Sequence, residues 1–219
     1  MFIGHMAVGL AGKKADPGVS LGVWILAAQW IDLLWPLFLL LGLEQVRIDP
    51  GNTPVTPFDF VHYPYTHSLL AVLGWSAGMY LFARFALKIR SGTAVLLGAA
   101  VLSHWVLDWL THRPDLPLYP GGAERVGLGL WYSPLGTLLV EGALFAAGIW
   151  LYLRAKGKKP REAGWRFWAF IALLTVMYMG NMFGSPPPAG AEPLIGWLGL
   201  AQWLLVFLAF RVDRPGTSP

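Results

Sequence analysis

The residues of this chain that could do chemistry are five histidines, all within the first 112 residues, and a few carboxylates set among apolar stretches. His104 and Asp108 stand four positions apart inside a stretch apolar enough to span a bilayer, so a helix would set both on one face, about 6 Å apart. An ionisable group in hydrocarbon costs at least about 2.5 kcal/mol, and such groups are usually paired, metal-bound or functional. An imidazole and a carboxylate held one turn apart suit a divalent ion. The chain has no cysteine, so any metal would be held by nitrogen and oxygen; zinc is the default, with manganese or iron the other options. HxxxD alone is weakly specific. It gains weight from Asp32 and His67, which lie at the same level once the apolar stretches are laid across a membrane.

The elements that must position these side chains follow from composition. The chain is 56% hydrophobic and 13% charged, against roughly a quarter charged in a soluble domain. That excludes a soluble globular protein and predicts an all-α, integral membrane helical bundle. Six stretches are long enough to cross, at about 20 residues each: 19–43, 67–87, 93–111, 134–153, 165–183 and 194–210. Asp16-Pro17 and Ser133-Pro134 read as an N-cap followed by proline at the first helical position, and Gly92 and Gly164 punctuate two further starts. The apolar segment 1–12 is too short to span and carries its charges after the apolar run. It reads as a short helix that enters the bundle from the cytoplasmic side or lies against it, not as a secretory signal. The whole chain, 1–219, is read as one transmembrane domain, with a motif-bearing part over 1–120 and motif-free helices over 121–219. Ser185 to Pro188 reads as a rigid loop, and no internal repeat is evident.

Loop charge sets the expected orientation. Lys13, Lys14, Arg84, Lys88, Arg90, Arg154, Lys156, Lys158, Lys159, Arg161, Arg166, Arg211 and Arg214 fall on one side, and only Arg47, Arg113 and Arg125 on the other. The positive-inside rule then makes both termini cytoplasmic and turns the polar cluster toward the outer face. The basic balance is accounted for by these loops, so no nucleic-acid partner is expected. The partners are the bilayer and a small-molecule or lipid substrate.

On this layout Asp32, His67, His104, Asp108 and Glu141 lie at one depth, and His112 sits at the mouth of the third span. His62 reads as an interfacial group, and Gln29, Asn181 and Gln202 as polar glue between spans.

The order Gly4-His5, Ile31-Asp32, His62-Tyr-Pro-Tyr-Thr-His67-Ser68-Leu69 and Ser103-His104 with Asp108 resembles the YdjM-like family of membrane-bound metal-dependent hydrolases. That family shows an early GH, a PDxD motif, an HRGxTHSL motif and an SHxxxD motif. The resemblance covers about the first 120 residues. More remotely, it extends to zinc-dependent phospholipases C and single-strand-specific zinc nucleases. It implies that Asp32, His67, His104 and Asp108 hold one metal and that Asp108 bridges to a second held partly by His5, with His112 a further ligand on position alone. Only Asp32 survives of PDxD, and Tyr63 and Pro64 replace the arginine and glycine of HRGxTHSL. These departures favour a single metal over a full cluster.

Two activities suit such a site. In a hydrolase of phosphoesters or lipid headgroups, the metal activates water, Glu141 or Asp115 acts as general base and Arg113 binds an anionic group. In an ion- or proton-coupled transporter, Asp32, His104, Asp108 and Glu141 bind an ion or relay protons, although the polar residues crowd one end of the bundle. A third reading is a non-catalytic metal that clamps helices together.

Overall fold

The computed structural model describes residues 1–157 and 160–212; Lys158, Lys159 and Arg214 of the basic loops lie outside the described residues. Ten helices run in the order α1 (Ile3–Ala15), α2 (Leu21–Ala28), α3 (Trp30–Leu40), α4 (Pro64–His67), α5 (Leu69–Leu81), α6 (Ser91–Thr111), α7 (Pro134–Ala155), α8 (Trp165–Phe183), α9 (Glu192–Leu200) and α10 (Gln202–Val212). Five spans are long and apolar enough to cross a membrane: α5 with the π-helical turn that follows it (Leu69–Ala86), α6, α7, α8, and α9 with α10 (Glu192–Val212). The first span is broken. Helices α2 and α3 meet at Gln29 at an angle of 55° and form a broken span or a re-entrant loop, so the described residues hold five or six crossings. Two short antiparallel ribbons, β1 (Gln45–Ile48) with β2 (Phe58–His62) and β3 (Leu116–Pro117) with β4 (Arg125–Val126), decorate one end of the bundle. Hydropathy gave no sign of them, because they lie in the connections.

Local chemistry explains most boundaries. Ser133 caps α7 through the Gly136 N–H with Pro134 next in line, and Gly164 precedes α8 with φ +78°. The first span differs from expectation: its cap is Ser20, which accepts from the Val23 N–H. Asp16 instead ends α1 and ties it to the start of α6, accepting from Thr93 Oγ1 at 2.6 Å and Arg90 Nε at 3.3 Å.

Helix α1 lies inside the bundle rather than beside it. Glycines allow the close approach that packing in lipid depends on. A Cβ at Gly148 of α7 would sit 2.7 Å from the Ala7 carbonyl oxygen, and one at Gly9 would meet the Ile25 side chain on α2 at 2.5 Å. It is the end of α1, with Lys13 and Lys14, that reaches the basic loops; its start is buried beside α6 and α7. Met1 is itself buried, its nitrogen 2.6 Å from Asp108 Oδ1.

Candidate metal centre

Breaks in regular helix place Asp32 and His67, whereas His104, Asp108 and Glu141 sit on the unbroken helices α6 and α7. The bend at Gln29 puts Asp32 in the first turn of α3, where the helix N-terminus favours a carboxylate. The same bend presents the Ala28 carbonyl to His104 Nδ1 at 3.1 Å. A carbonyl can only accept, so in the neutral ring Nδ1 carries the proton and Nε2 is left as a lone pair. His104 Nε2 is indeed buried without a hydrogen-bond partner.

His67 ends the one-turn helix α4, and its Nδ1 lies 2.7 Å from Thr66 Oγ1. The Thr66 hydroxyl has one proton and gives it to Glu44 Oε2 at 2.6 Å, so Thr66 accepts from His67 Nδ1. Glu44 also accepts from the Tyr65 and Thr66 N–H groups, both at 2.8 Å. The second imidazole is thereby oriented like the first, with Nε2 as its free lone pair. Hydrogen bonds to the far ring nitrogen are how proteins aim histidines at metals.

Both Nε2 atoms point at carboxylates. His67 Nε2 is 3.6 Å from Asp32 Oδ1 and 3.8 Å from Asp108 Oδ2, and His104 Nε2 is 3.5 Å and 3.2 Å from the same two atoms. Ligand bonds of about 2.0–2.2 Å in a tetrahedron set ligand atoms about 3.3–3.6 Å apart, and the four edges bracket that spacing. With both rings neutral, four acceptor atoms converge in a buried site, and a cation placed among them, a metal ion or protons on the imidazoles, removes the conflict. The donor set fits a divalent metal, and two overlapping triads, Asp32–His67–His104 and His5–His104–Asp108, could each hold an ion.

His5 joins the cluster from α1. Its ring stacks on His104 with centroids 3.6 Å apart, and its Nε2 lies 3.0 Å from Asp108 Oδ1. Asp108 Oδ1 also accepts from the Met1 ammonium at 2.6 Å. Glu141, from α7, accepts from the Phe2 and Gly4 N–H groups at 3.0 and 3.1 Å, both on Oε2.

The remaining sequence-derived residues form a second cluster, nearer the ribbons. His112 belongs to neither metal triad among the described residues; its Nδ1 is 3.0 Å from Asp115 Oδ1, and its ring packs on Trp131 at 4.3 Å. Asp115 also accepts from Tyr63 at 2.9 Å and from Arg113 Nε at 3.0 Å. Arg113 bonds Asp59 as well, and Asp59 takes Arg47 at 2.6 Å. Burial works against ionisation of Asp115, but the bonds from His112, Tyr63 and Arg113 outweigh it and hold the carboxyl below the usual carboxylate range. Both carboxylate partners of Arg113 offset its charge, and neither Arg113 nor Asp115 lines the cavity described next. His62 is exposed on β2, outside both clusters.

A cavity of about 440 Å³ opens onto the first cluster, and Asp32, His67, Asp108, His112 and Glu141 contribute to its wall. Asn181 and Gln202, expected to join helices, line it too. Gln202 Oε1 and both amide atoms of Gln29 are buried without partners, so neither glutamine acts as glue through those atoms. Glu44 and Thr66 escaped the sequence reading. Thr66 sits inside the motif around His67, whereas nothing in the sequence separates Glu44 from an ordinary loop charge.

Among known proteins, the model of one family, described as YdjM inner membrane protein, matches residues 2–184. No curated protein and no solved structure matches the chain, so the remoter likeness to phospholipases C and zinc nucleases rests on motif order alone.

Proposed function

The chain belongs to the YdjM inner membrane protein family, and from that premise and the site geometry we propose that it is a membrane-embedded, metal-dependent hydrolase of phosphoesters. The observation that carries this reading is the approach of His67 Nε2 and His104 Nε2 to Asp32 Oδ1 and Asp108 Oδ2, at 3.2 to 3.8 Å, beside a cavity large enough for a substrate. These four side chains hold the metal, and zinc suits a nitrogen and oxygen set without thiolate. A bound divalent ion would lower the pKa of water and polarise a phosphoryl oxygen.

The protein residues supply the rest. Glu141 lines the cavity with Oε2 fixed by two backbone N–H groups, which leaves Oε1 to take a proton from the attacking water. His5 steadies His104 by stacking and Asp108 by its hydrogen bond. Asp115 and Arg113 are committed to each other, and Arg113 also to Asp59; both stand outside the cavity wall and brace the loops beside it rather than react. The excess of lysine and arginine in the loops at the opposite end supports a cytoplasmic location for those loops and an outward-facing site.

The experiment is metal analysis of the purified protein together with hydrolysis of a phosphoester panel. We expect about one zinc per chain and turnover that follows metal content, with both lost in His104→Ala. Metal-free wild-type protein with an intact fold would overturn the reading. One observation favours a rival: four protein ligands can fill a tetrahedral shell, as in structural zinc sites. A clamping role predicts stoichiometric metal and a large loss of thermal stability on chelation, without turnover on any phosphoester.

A further inference from the structure

The cavity does not end at the metal cluster. It continues away from Asp32, His67 and Asp108 along an apolar wall that includes Trp35 of α3, Met177 and Met182 of α8, and Ile195 and Leu198 of α9. Met177 and Leu198 line the cavity and are 37% and 62% exposed. Helices α8 and α9 barely touch each other, whereas α9 packs closely on α3, where Gly199 rests against Pro36. The cavity is therefore open sideways, through a slot between two membrane-spanning segments. Both segments are apolar enough to cross a membrane, so a slot that opens sideways between them faces lipid tails.

We propose that this slot takes one hydrocarbon chain of a membrane phospholipid, whose phosphoester headgroup then lies against the His/Asp cluster; the assignment of the headgroup rests on the hydrolase reading, that of the chain on the slot alone. Lipid tails are as apolar as leucine side chains, so a chain that moves from bilayer to slot gains little hydrophobic free energy. What it gains is registry. A tail held between α3, α8 and α9 fixes how far the headgroup can rise or sink, and so holds the scissile bond level with the metal ligands. Positioning of this kind lowers a barrier without tight binding. The apolar wall beyond the cluster also means that a free phosphate ester would fill only the polar end of the cavity.

Two measurements test the assignment, one of which needs no turnover. Phosphatidic acid carrying a diazirine midway along one palmitoyl chain is photolysed with the wild-type protein in nanodiscs, and adducts are mapped by peptide mass spectrometry. Adducts concentrated on Met177, Ile195 and Leu198 are expected. Labelling spread evenly over outward-facing residues such as Phe85 and Leu135, both well exposed on other helices, overturns the proposal. The second measurement is the hydrolysis of monoalkyl phosphates from ethyl to dodecyl. For the wild type kcat/KM should climb by up to about fourfold per methylene, the equivalent of ~0.8 kcal/mol, and then level off. Ile195→Trp, which fills the slot, should bring the plateau to shorter chains; identical profiles in the two proteins overturn the proposal, since partition into detergent affects both alike. If Ile195→Trp does not fold, the cross-linking decides. Slot adducts without turnover would remove the hydrolase reading and keep the chain site, whereas turnover with even labelling would do the reverse.

Discussion

Two clusters of ionisable groups, one buried and one partly exposed, meet at the loop-rich end of the bundle, joined through Tyr63, and they are built on opposite principles. In the outer cluster each acceptor has its donor: Asp59 takes Arg47 and Arg113, and Asp115 takes Arg113, Tyr63 and His112. In the inner cluster Asp108 Oδ1 has the Met1 ammonium, but the ring protons of two histidines are turned away. His104 and His67 spend their Nδ1 protons on Ala28 and Thr66, and their Nε2 lone pairs face the lone pairs of Asp32 and Asp108. A balanced network holds a protein together, and an unbalanced one holds something else. Counting charges alone would rate the two clusters alike; counting protons separates them.

The contrast is most exposed at His104. His104→Ala should take metal content from about one per chain to background, measured by elemental analysis, while a balanced-network variant such as Asp115→Asn leaves metal content at the wild-type level. Equal metal in His104→Ala and wild type would erase the distinction. Next in size is the tether behind His67. Thr66→Val removes the acceptor that orients the ring, and metal affinity measured by chelator competition should fall about 10- to 100-fold. Asp115→Asn should appear in stability instead, costing about 1–3 kcal/mol through the partners it leaves unsatisfied, read as a lower midpoint of thermal unfolding.

The smallest effect is one of pH. The folded pKa of Asp115 lies below its unfolded value, so its contribution to stability is present above about pH 4 and is lost as pH falls through the folded value. Comparing thermal midpoints between pH 6 and 3 for wild type and Asp115→Asn should show a steeper decline in the wild type. Parallel curves would remove Asp115 from the balanced network.

Much of this was legible in the sequence. The number of crossings follows from runs of apolar residues, because hydrocarbon thickness fixes their length, and the span bounded by Ser133-Pro134 begins where its cap predicts. The meeting of Asp32, His67, His104 and Asp108 follows from their common depth. The break at Gln29 was not legible. Hydropathy measures length and is blind to direction, and Pro36, the obvious suspect for a kink, lies inside α3 rather than at the bend. Glu44 was hidden because its partners are the backbone of Tyr65 and Thr66, distant in sequence. The slot was hidden for a related reason: an apolar residue on α8 or α9 reads alike whether it faces lipid or a cavity.

The burial of α1 also has a consequence in time. Gly148 receives the Ala7 backbone, and Glu141 holds the N–H groups of Phe2 and Gly4, across 139 and 137 positions of sequence. The helix that brings His5 to the cluster is thus synthesised well before α7, and although α2 and α6 also pack on it, its seat is complete only when α7 is in place. Assembly of the centre therefore follows the insertion of the later spans that enclose it.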